Sequence, residues 1–253
     1  MTRLEKRVFP LIFVLAIIAY IMSIVMPNDQ FGEHWLIRED GVLEWFTALA
    51  LLATSLLCVY RCWTLRHSHP RFFLACTAVG AAVLFFGMGE ELSWGQRMLG
   101  IESPEFFLTH NAQNETNLHN LVVGETKINK LIFGKILGVI VVSYLLLPLA
   151  HERSPRLRRL INHLAIPAPR LQHILGILAI VVMVETSSAS KRGEIKEFAL
   201  SSLLLLAFIN PHNRSIFRPG AQLDGDDAQP QTPLVAAGGQ DPLAQPATQR
   251  RAA

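Results

Sequence analysis

Two adjacent carboxylates stand at the end of an apolar stretch, in the segment 90–97 with the sequence EELSWGQR. Ionised side chains are costly near the hydrocarbon core of a membrane, and the C-terminal end of a helix disfavours anions. Glu90 and Glu91 therefore need a positive partner, either the guanidinium of Arg97, two helical turns after Glu90, or a bound cation. The alternative is that the helix continues into water and both carboxylates are solvated.

A second polar cluster follows in the segment 110–120, HNAQNETNLHN, which holds two histidines, one glutamate and four asparagines. In a helix, Asn111, Glu115 and His119 would share one face. Imidazole and carboxylate groups ligate divalent metals such as zinc, and amides orient such ligands. The alternative is polar capping and hydrogen bonding that hold this loop on the rest of the protein.

Other carboxylates stand at the ends of further apolar stretches. Glu44 begins one stretch, Glu185 ends another, and Glu194 and Glu197 precede a third. Acids at a helix N-terminus are favoured by the dipole and by capping, which explains Glu44 and Glu197 as caps but does not explain Glu185. If the stretches cross a membrane, these acidic ends meet at one face, and their convergence predicts a polar functional site there.

Six apolar stretches must position these residues. They cover residues 8–26, 42–60, 72–89, 131–150, 171–184 and 198–209. A helix needs about 20 apolar residues to cross the hydrocarbon core, so the first four are long enough and the last two must use flanking polar residues. Open sheets leave unsatisfied edges in lipid. The sequence therefore predicts an all-α polytopic membrane bundle of six transmembrane helices.

The charges of the loops predict the orientation of this bundle. Fifteen of the 23 Lys and Arg lie before the first stretch, in the loops 61–71 and 151–170, and after residue 210. Fourteen of the 20 acidic residues lie in the other loops and the helix ends that adjoin them. Because cytoplasmic loops carry the excess of Lys and Arg, both termini are predicted to be cytoplasmic.

The composition excludes several classes of protein. With 51% hydrophobic residues and a mean hydropathy of +0.32, the chain is too apolar for an ordinary soluble domain. The basic residues form no compact patch with interleaved aromatics, so we expect membrane lipids as partners and no nucleic acid. Residues 1–215 are predicted to form the transmembrane domain, with a long extracytoplasmic loop at 90–130. The segment 216–253 is predicted to be a disordered cytoplasmic tail.

Two shorter segments also carry helix signals. In the segment 154–170 apolar residues recur at helical spacing between arginines, which predicts either an amphipathic helix on the inner leaflet or an ordinary basic loop. Ser103-Pro104-Glu105 is typical of a helix start. The aromatic pair that follows, Phe106 and Phe107, would lie at the membrane interface.

The motifs EELSWGQR at 90–97 and NETNLHN at 114–120 resemble an uncharacterised family of bacterial multi-pass inner-membrane proteins. The run from Glu39 to Trp45 is similar to the same pattern, so the resemblance spans roughly residues 35–125. It implies a location in the bacterial inner membrane and a special role for residues 90–120, and it implies no particular reaction. Membrane-embedded ceramidase-like hydrolases are also comparable, but this sequence lacks their paired His-x-x-x-His.

Three functions are compatible with this topology and these motifs. The first is a metal-dependent hydrolase or transferase whose site opens at the periplasmic face and acts on a lipid or lipid-linked substrate. The second is a non-catalytic assembly subunit whose outer loop docks a membrane-protein partner. The third is a transporter coupled to protons or cations, which is disfavoured because the stretches carry few ionisable groups at mid-helix.

The enzyme hypothesis gives roles to individual residues. A divalent metal such as zinc would be bound by His119 with Glu90 or Glu91, while Glu115, Glu197 or Glu91 would transfer protons. The forked donors of Arg97 suit an anionic head group such as a phosphate. The predicted site residues are, for catalysis, Glu91, Glu115 and Glu197; for substrate binding, Arg97, Trp94 and Asn117; and for metal binding, His119, Glu90 and Glu91.

Overall fold

The structure is a computed structural model that describes residues 1–118, 120–123, 126–127 and 137–223. Its helices are α1 (Arg3–Val25), α2 (Asn28–Glu33), α3 (Val42–Leu65), α4 (Arg71–Glu91), α5 (Gln96–Leu99), α6 (Glu105–His110), α7 (Leu137–Arg153), α8 (Pro155–His163), α9 (Leu171–Glu185) and α10 (Arg192–Ile209). Two 3-10 turns, Ser93–Gly95 and Arg214–Phe217, complete the helical elements of the described residues. The prediction of an all-α fold is confirmed.

One short antiparallel ladder interrupts this helical architecture. Strand β1 (Val122–Val123) pairs with β2 (Thr126–Lys127), with Val122 opposite Lys127 and Val123 opposite Thr126. Just before it, Asn111 and Leu121 form an isolated bridge. The described part of the segment 110–120 is therefore a set of turns after His110. The helical face predicted for Asn111 and Glu115 does not form.

Helix α10 lies at the centre of the bundle, where it packs against α3, α9 and α1. Its residues Ile195, Leu203 and Leu206 are buried among apolar side chains of those neighbours. On α1 the facing positions include Ala16 and Ala19, both fully buried, and their small side chains let the helix axes approach closely. Helix α10 is thus shielded on several sides, while the helices around it present apolar side chains outward.

Three of the described helices are long and apolar enough to cross a membrane: α1, α3 and α4. This supports a membrane protein. The other predicted spans correspond to shorter or more charged helices. Helix α7 has 17 residues and follows the undescribed segment 128–136, and α9 has 15 residues. Helix α10 has 18 residues but begins with four charged residues within its first two turns.

Tight chain reversals lie just before α3 and just after α4. Gly41 precedes α3, and a β-carbon there would lie 2.4 Å from the carbonyl oxygen of Arg38, so the approach requires glycine. After α4, positive φ angles at Ser93 (45°), Trp94 (56°) and Gly95 (77°) turn the chain back over the end of the helix. These two reversals bring the residues before α3 next to those after α4.

The far end of the bundle is closed by a second set of buried groups. The side chains of Leu65, Phe73, Ala165, Ile216 and Leu223 form an apolar cluster, so packing extends through residue 223 into the segment predicted as a disordered tail. The rest of that tail, residues 224–253, lies outside the described residues. The predicted amphipathic helix corresponds to α8, which begins at Pro155 with the Ser154 hydroxyl accepting from the Leu157 N–H.

Candidate functional site

The candidate site lies at the end of the bundle where α3 and α10 begin and α4 ends. We refer to it as the Glu44 end. Glu90 and Glu91 lie at the end of α4, and Ser93, Trp94 and Arg97 follow in the chain reversal after it. The turns after α6 add Asn111, Glu115 and Asn117. Helix α10 contributes Glu194 and Glu197 from its first two turns.

Arg97 is the hub of an ion-pair network at this end. Its guanidinium bonds Asp40 through Nε at 3.0 Å, and it also bonds Glu44 and Glu115. The Arg97 side chain is 21% exposed, and those of Glu44 and Glu115 are 9% exposed. One cation thus joins the residues before α3 to the turns after α6.

The charge of Arg97 is secured by this arrangement. Burial acts to lower the pKa of the Arg97 guanidinium, but the hydrogen bond that it donates to Glu115 and the negative charges of Glu44, Glu115 and Asp40 outweigh this effect. The pKa of Arg97 is therefore raised above its ordinary value. Because the group stays protonated at any physiological pH, it supplies a constant positive charge to the three carboxylates around it.

Glu115 is held by further polar contacts besides Arg97. The Ser93 hydroxyl donates to its Oε2, and the Asn117 amide donates to the same oxygen at 3.2 Å. Asn117 also donates to the Ser93 hydroxyl at 2.8 Å, and Asn111 donates to the Asn117 side-chain oxygen at 2.9 Å. All four side chains are buried. This network orders the turns and leaves Glu115 saturated with donors.

Glu90 holds the same turns through two further hydrogen bonds. Its Oε1 accepts from the indole Nε1 of Trp94 at 2.9 Å, and its Oε2 accepts from the Leu118 backbone N–H at 2.6 Å. Glu90 is 4% exposed. The pairing of Arg97 considered for Glu90 is replaced by Arg97 contacts to Asp40, Glu44 and Glu115. Both halves of the EELSWGQR motif therefore hold the turns in place.

Three carboxylates at the Glu44 end differ from these. Glu91, Glu194 and Glu197 are half-buried, and none forms a hydrogen bond or ion pair through its carboxylate with another described residue. The negative charges of Glu197, Glu194 and Glu44 all act on Glu91, so the end of α4 and the start of α10 lie within electrostatic range of each other. We call Glu91, Glu194 and Glu197 the carboxylate triad.

The electrostatics of the triad are those of like charges held near one another. The negative charges of Glu197 and Glu44 act on Glu194, and the ammonium group of Lys191 offsets part of this repulsion. Like charges at close range disfavour simultaneous ionisation. The arrangement therefore favours the sharing of protons among these carboxylates.

The remaining predicted residues fall into different places. Glu185 lies apart from the triad and pairs with Lys196 at 2.6 Å and with Arg192 at 3.5 Å. His119 lies outside the described residues. Within the described residues, no group of three or more His, Cys, Asp or Glu side chains is arranged to hold a metal ion.

Two residues of the hydrogen-bond and ion-pair network, Ser93 and Asp40, were not among the site residues predicted from the sequence. Ser93 is fully buried and bridges Glu115 and Asn117, although its position inside the EELSWGQR motif was a signal. Asp40 has a positive φ of 58°, and its carboxylate pairs with Arg97 from the turn before α3. Its distance of 57 positions from Arg97 in sequence left no local pattern to find.

A groove opens beside this network on the outer side of α3. Its volume is about 310 Å³, and its lining residues are Trp35, Arg38, Asp40, Val42, Trp45, Phe46 and Leu49. Most of the wall is apolar, with Arg38 and Asp40 supplying the charges. The Phe46 ring packs 6.0 Å from the ring of Phe198, the residue that follows Glu197. The groove therefore adjoins the helix that carries two members of the triad.

No protein-family model, curated protein or solved structure matches this chain.

Proposed function

We propose that the protein is a bacterial inner-membrane enzyme that acts on a lipid or lipid-linked substrate at the periplasmic face, where the carboxylate triad transfers protons. Its six membrane helices would be α1, α3, α4, α7, α9 and α10, with both termini in the cytoplasm. The Glu44 end would then be the periplasmic end.

Six spans are supported by the outward faces of the two shorter apolar helices. On α7 a stripe of exposed side chains runs along one face, and α9 carries a similar stripe. The stripes are Val139, Val142, Leu146 and Leu149 on α7, and Leu171, Leu175, Leu178 and Val182 on α9. Exposed apolar stripes at helical spacing are expected where a helix faces lipid. Helix α10, which the other helices enclose, needs no such face.

The enzyme proposal rests on a contrast between two sets of acidic side chains. Asp40, Glu44 and Glu115 are paired with Arg97, whereas the triad has no cation bound to it among the described residues. An unpaired cluster of half-buried carboxylates costs stability, and perturbed carboxylates in such a setting are typical of acid–base sites. The Arg97 network supplies the rigid frame for this cluster.

The proposed chemistry is hydrolysis or transfer by general acid–base catalysis. An ionised carboxylate, Glu91 or Glu197, takes a proton from water or from an acceptor hydroxyl. The oxygen of that water or hydroxyl attacks the ester or phosphoester centre at the same time. Protonated Glu194 gives its proton to the leaving oxygen as that bond breaks. One proton is taken up and one is released, so the triad keeps its net protonation.

The groove is the proposed place for the apolar part of the substrate. Its aromatic and aliphatic wall suits an acyl or prenyl chain, and Arg38 at the groove offers a cation to an anionic head group. Substrate binding by Arg97, Trp94 and Asn117 stays a prediction. In the structure, polar donors of all three are engaged with protein acceptors.

Metal binding by His119 with Glu90 or Glu91 also stays a prediction. A divalent metal bound there would supply a Lewis acid and a more acidic water molecule. The proposed proton transfer by the triad does not require this metal. Metal analysis of purified wild-type protein beside the variant His119→Ala tests this part: metal in the wild type and none in the variant is the expected result. Equal metal content, or none in either, would remove the metal from the proposal.

The enzyme itself is tested with purified protein in vesicles of bacterial polar lipids and lipid-linked precursors, with products followed by mass spectrometry. We expect turnover by the wild type and by Glu185→Gln, whose carboxylate lies outside the triad, and a large loss with Glu91→Gln or Glu197→Gln. Full turnover by both triad variants would refute the assigned chemistry. The absence of any product from the wild type would favour the second candidate.

That second candidate is a non-catalytic subunit that docks a membrane partner. It is favoured by one observation: the loop held by Arg97 and Glu90 presents large apolar side chains outward, including Leu99 and Phe106. Co-purification of a stoichiometric partner that is lost with Leu99→Ser would support it.

A further inference from the structure

The segment 93–108 exposes apolar side chains, which a loop in water would normally bury. Most of its exposed side chains are large and apolar, and Leu99 at the tip is 71% exposed. The exposed apolar residues are Trp94, Met98, Leu99, Ile101, Phe106 and Leu108. Large apolar side chains that are contiguous and exposed mark an interaction surface. We call this set the apolar rim.

The uncharged polar side chains of the same segment bond to groups within the protein. Gln96 donates to the Ser103 hydroxyl at 2.5 Å and accepts from the Thr116 N–H at 2.7 Å. The Ser103 hydroxyl donates to the Asn114 carbonyl oxygen at 2.7 Å. Ser93 and Ser103 are both buried. Because polar groups are satisfied internally and apolar groups face outward, the segment is built for apolar surroundings.

The backbone holds the rim in this orientation. Ser93 and Trp94 have positive φ angles, and α5 ends at Gly100 in the left-handed conformation, with a φ of 62°. The Ile101 N–H closes the turn on the Gln96 carbonyl oxygen at 3.1 Å. Met98 and Leu99 are therefore carried on a closed turn, and their exposure follows from backbone geometry.

The rim continues the outward surface of a membrane-length helix. On α4, Phe85 is 49% and Phe86 is 43% exposed. The Trp94 ring packs edge-on against both, with centroid distances of 6.5 Å and 5.4 Å. The apolar surface of the candidate span thus runs without interruption onto the loop, and tryptophan is the side chain expected at that level of a membrane.

We infer that the apolar rim inserts into the lipid leaflet at the Glu44 end, as an interfacial platform beside the end of α4. Lipid is the occupant because the rim is continuous with the surface that lipid must already cover on α4. The exposed acids Glu102 and Glu105 alternate with the rim and mark the level of the head groups. This inference rests on the membrane placement of α4 and does not depend on the chemistry of the triad.

The experiment measures the depth of single tryptophans in vesicles. Trp35, Trp45 and Trp63, all exposed side chains, are replaced by Phe so that Trp94 is the one tryptophan left of the four. A second variant also carries Trp94→Phe and Leu99→Trp, which probes the tip. The matched control places tryptophan at Gln30, an exposed position of the polar helix α2, in the background without Trp94.

Brominated phosphatidylcholine in the vesicles and iodide in the buffer serve as the quenchers. We expect Trp94 and Leu99→Trp to lose most of their fluorescence to brominated lipid and to resist iodide, and Gln30→Trp to show the reverse. A Leu99→Trp signal that iodide quenches and brominated lipid leaves unchanged would overturn the inference and assign the rim to water or to a protein partner. Neither outcome depends on enzymatic activity, so failure here is distinct from failure of the proposed function.

Discussion

The Trp94 indole lies directly over Gly89: a β-carbon on this glycine would be 2.7 Å from the ring atoms Cε3 and Cζ3. The missing side chain of Gly89 lets Trp94 fold back onto α4, where its Nε1 reaches Glu90. The strained turn at Ser93 and Trp94 thus depends on a glycine one helical turn earlier.

The first prediction concerns this contact. Gly89→Ala should displace the indole, break its hydrogen bond to Glu90 and destabilise the protein by about 1–3 kcal/mol, the usual cost of overpacking. Thermal unfolding in detergent measures the loss, and Trp94 emission reports the displacement. The matched control is Gly80→Ala on the same helix, where a β-carbon would meet no atom within 4 Å. An equal loss with Gly80→Ala would show that the effect is not due to Trp94.

The second prediction concerns the forked guanidinium of Arg97. Arg97→Ala should leave Glu44 and Glu115 partly buried without their cation and cost about 3–5 kcal/mol, as for a broken buried ion pair. Arg97→Lys should recover only part of this, because an ammonium cannot bridge the three carboxylates as a planar fork does.

Limited proteolysis of the segment 96–118 and thermal unfolding measure both Arg97 variants. Arg71→Ala removes an exposed arginine from the other end of α4 and should change neither reading. Full recovery of stability by lysine would contradict the bridging role.

The third prediction is a pH dependence caused by Glu194. Glu194 lies among the negative charges of Glu197 and Glu44 in the folded protein, and the unfolded chain separates these charges. The ionised form of Glu194 therefore costs stability, and this cost appears as pH rises above the range in which the carboxylates are protonated. Glu194→Gln should raise the unfolding temperature at pH 8 and lose this advantage toward pH 4.5.

Glu185 provides a control of opposite sign. Its carboxylate pairs with Lys196 at 2.6 Å and with Arg192 at 3.5 Å. These pairs stabilise the folded protein while Glu185 is ionised, and the contribution disappears as low pH protonates the carboxylate. Since its side chain is 49% exposed, Glu185→Gln should cause only a small loss at neutral pH. Parallel pH curves for the two variants would refute the assignment of the triad.

The fourth prediction concerns a buried polar cluster at the opposite end of the bundle. Glu5 is fully buried and accepts from His173 at 2.9 Å, from Gln172 at 2.9 Å and from Asn210 at 2.8 Å. It thereby joins α1, α9 and the end of α10.

Glu5→Ala leaves those buried donors unpaired and should cost about 3–5 kcal/mol, with Glu5→Gln costing less. Thermal unfolding measures both variants. Metal content and lipid turnover should be unchanged at a temperature where both are folded. A change in turnover by folded Glu5→Gln would contradict a purely structural role.

Much of the helical fold follows from the sequence because hydrophobic length acts locally. The apolar stretches at 8–26, 42–60 and 72–89 correspond to the three helices of membrane-spanning length. The start of a helix at Ser103-Pro104 is also confirmed, since α6 begins at Glu105. Its cap differs from the prediction: the Ser103 hydroxyl bonds the Asn114 carbonyl oxygen across the loop.

The sequence by itself determined that the chain is helical, that much of it is apolar enough for a membrane, and that polar chemistry is concentrated in residues 90–120. These properties depend on composition and periodicity. The tertiary structure decided which acids pair with Arg97 and which have no bound cation among the described residues. Arg97 was compatible with Glu90 by helical spacing, but the reversal at Ser93 and Trp94 ends the helix first and turns Arg97 toward Asp40, Glu44 and Glu115. Pairing across 53 and 57 positions depends on how helices pack, which no local pattern encodes.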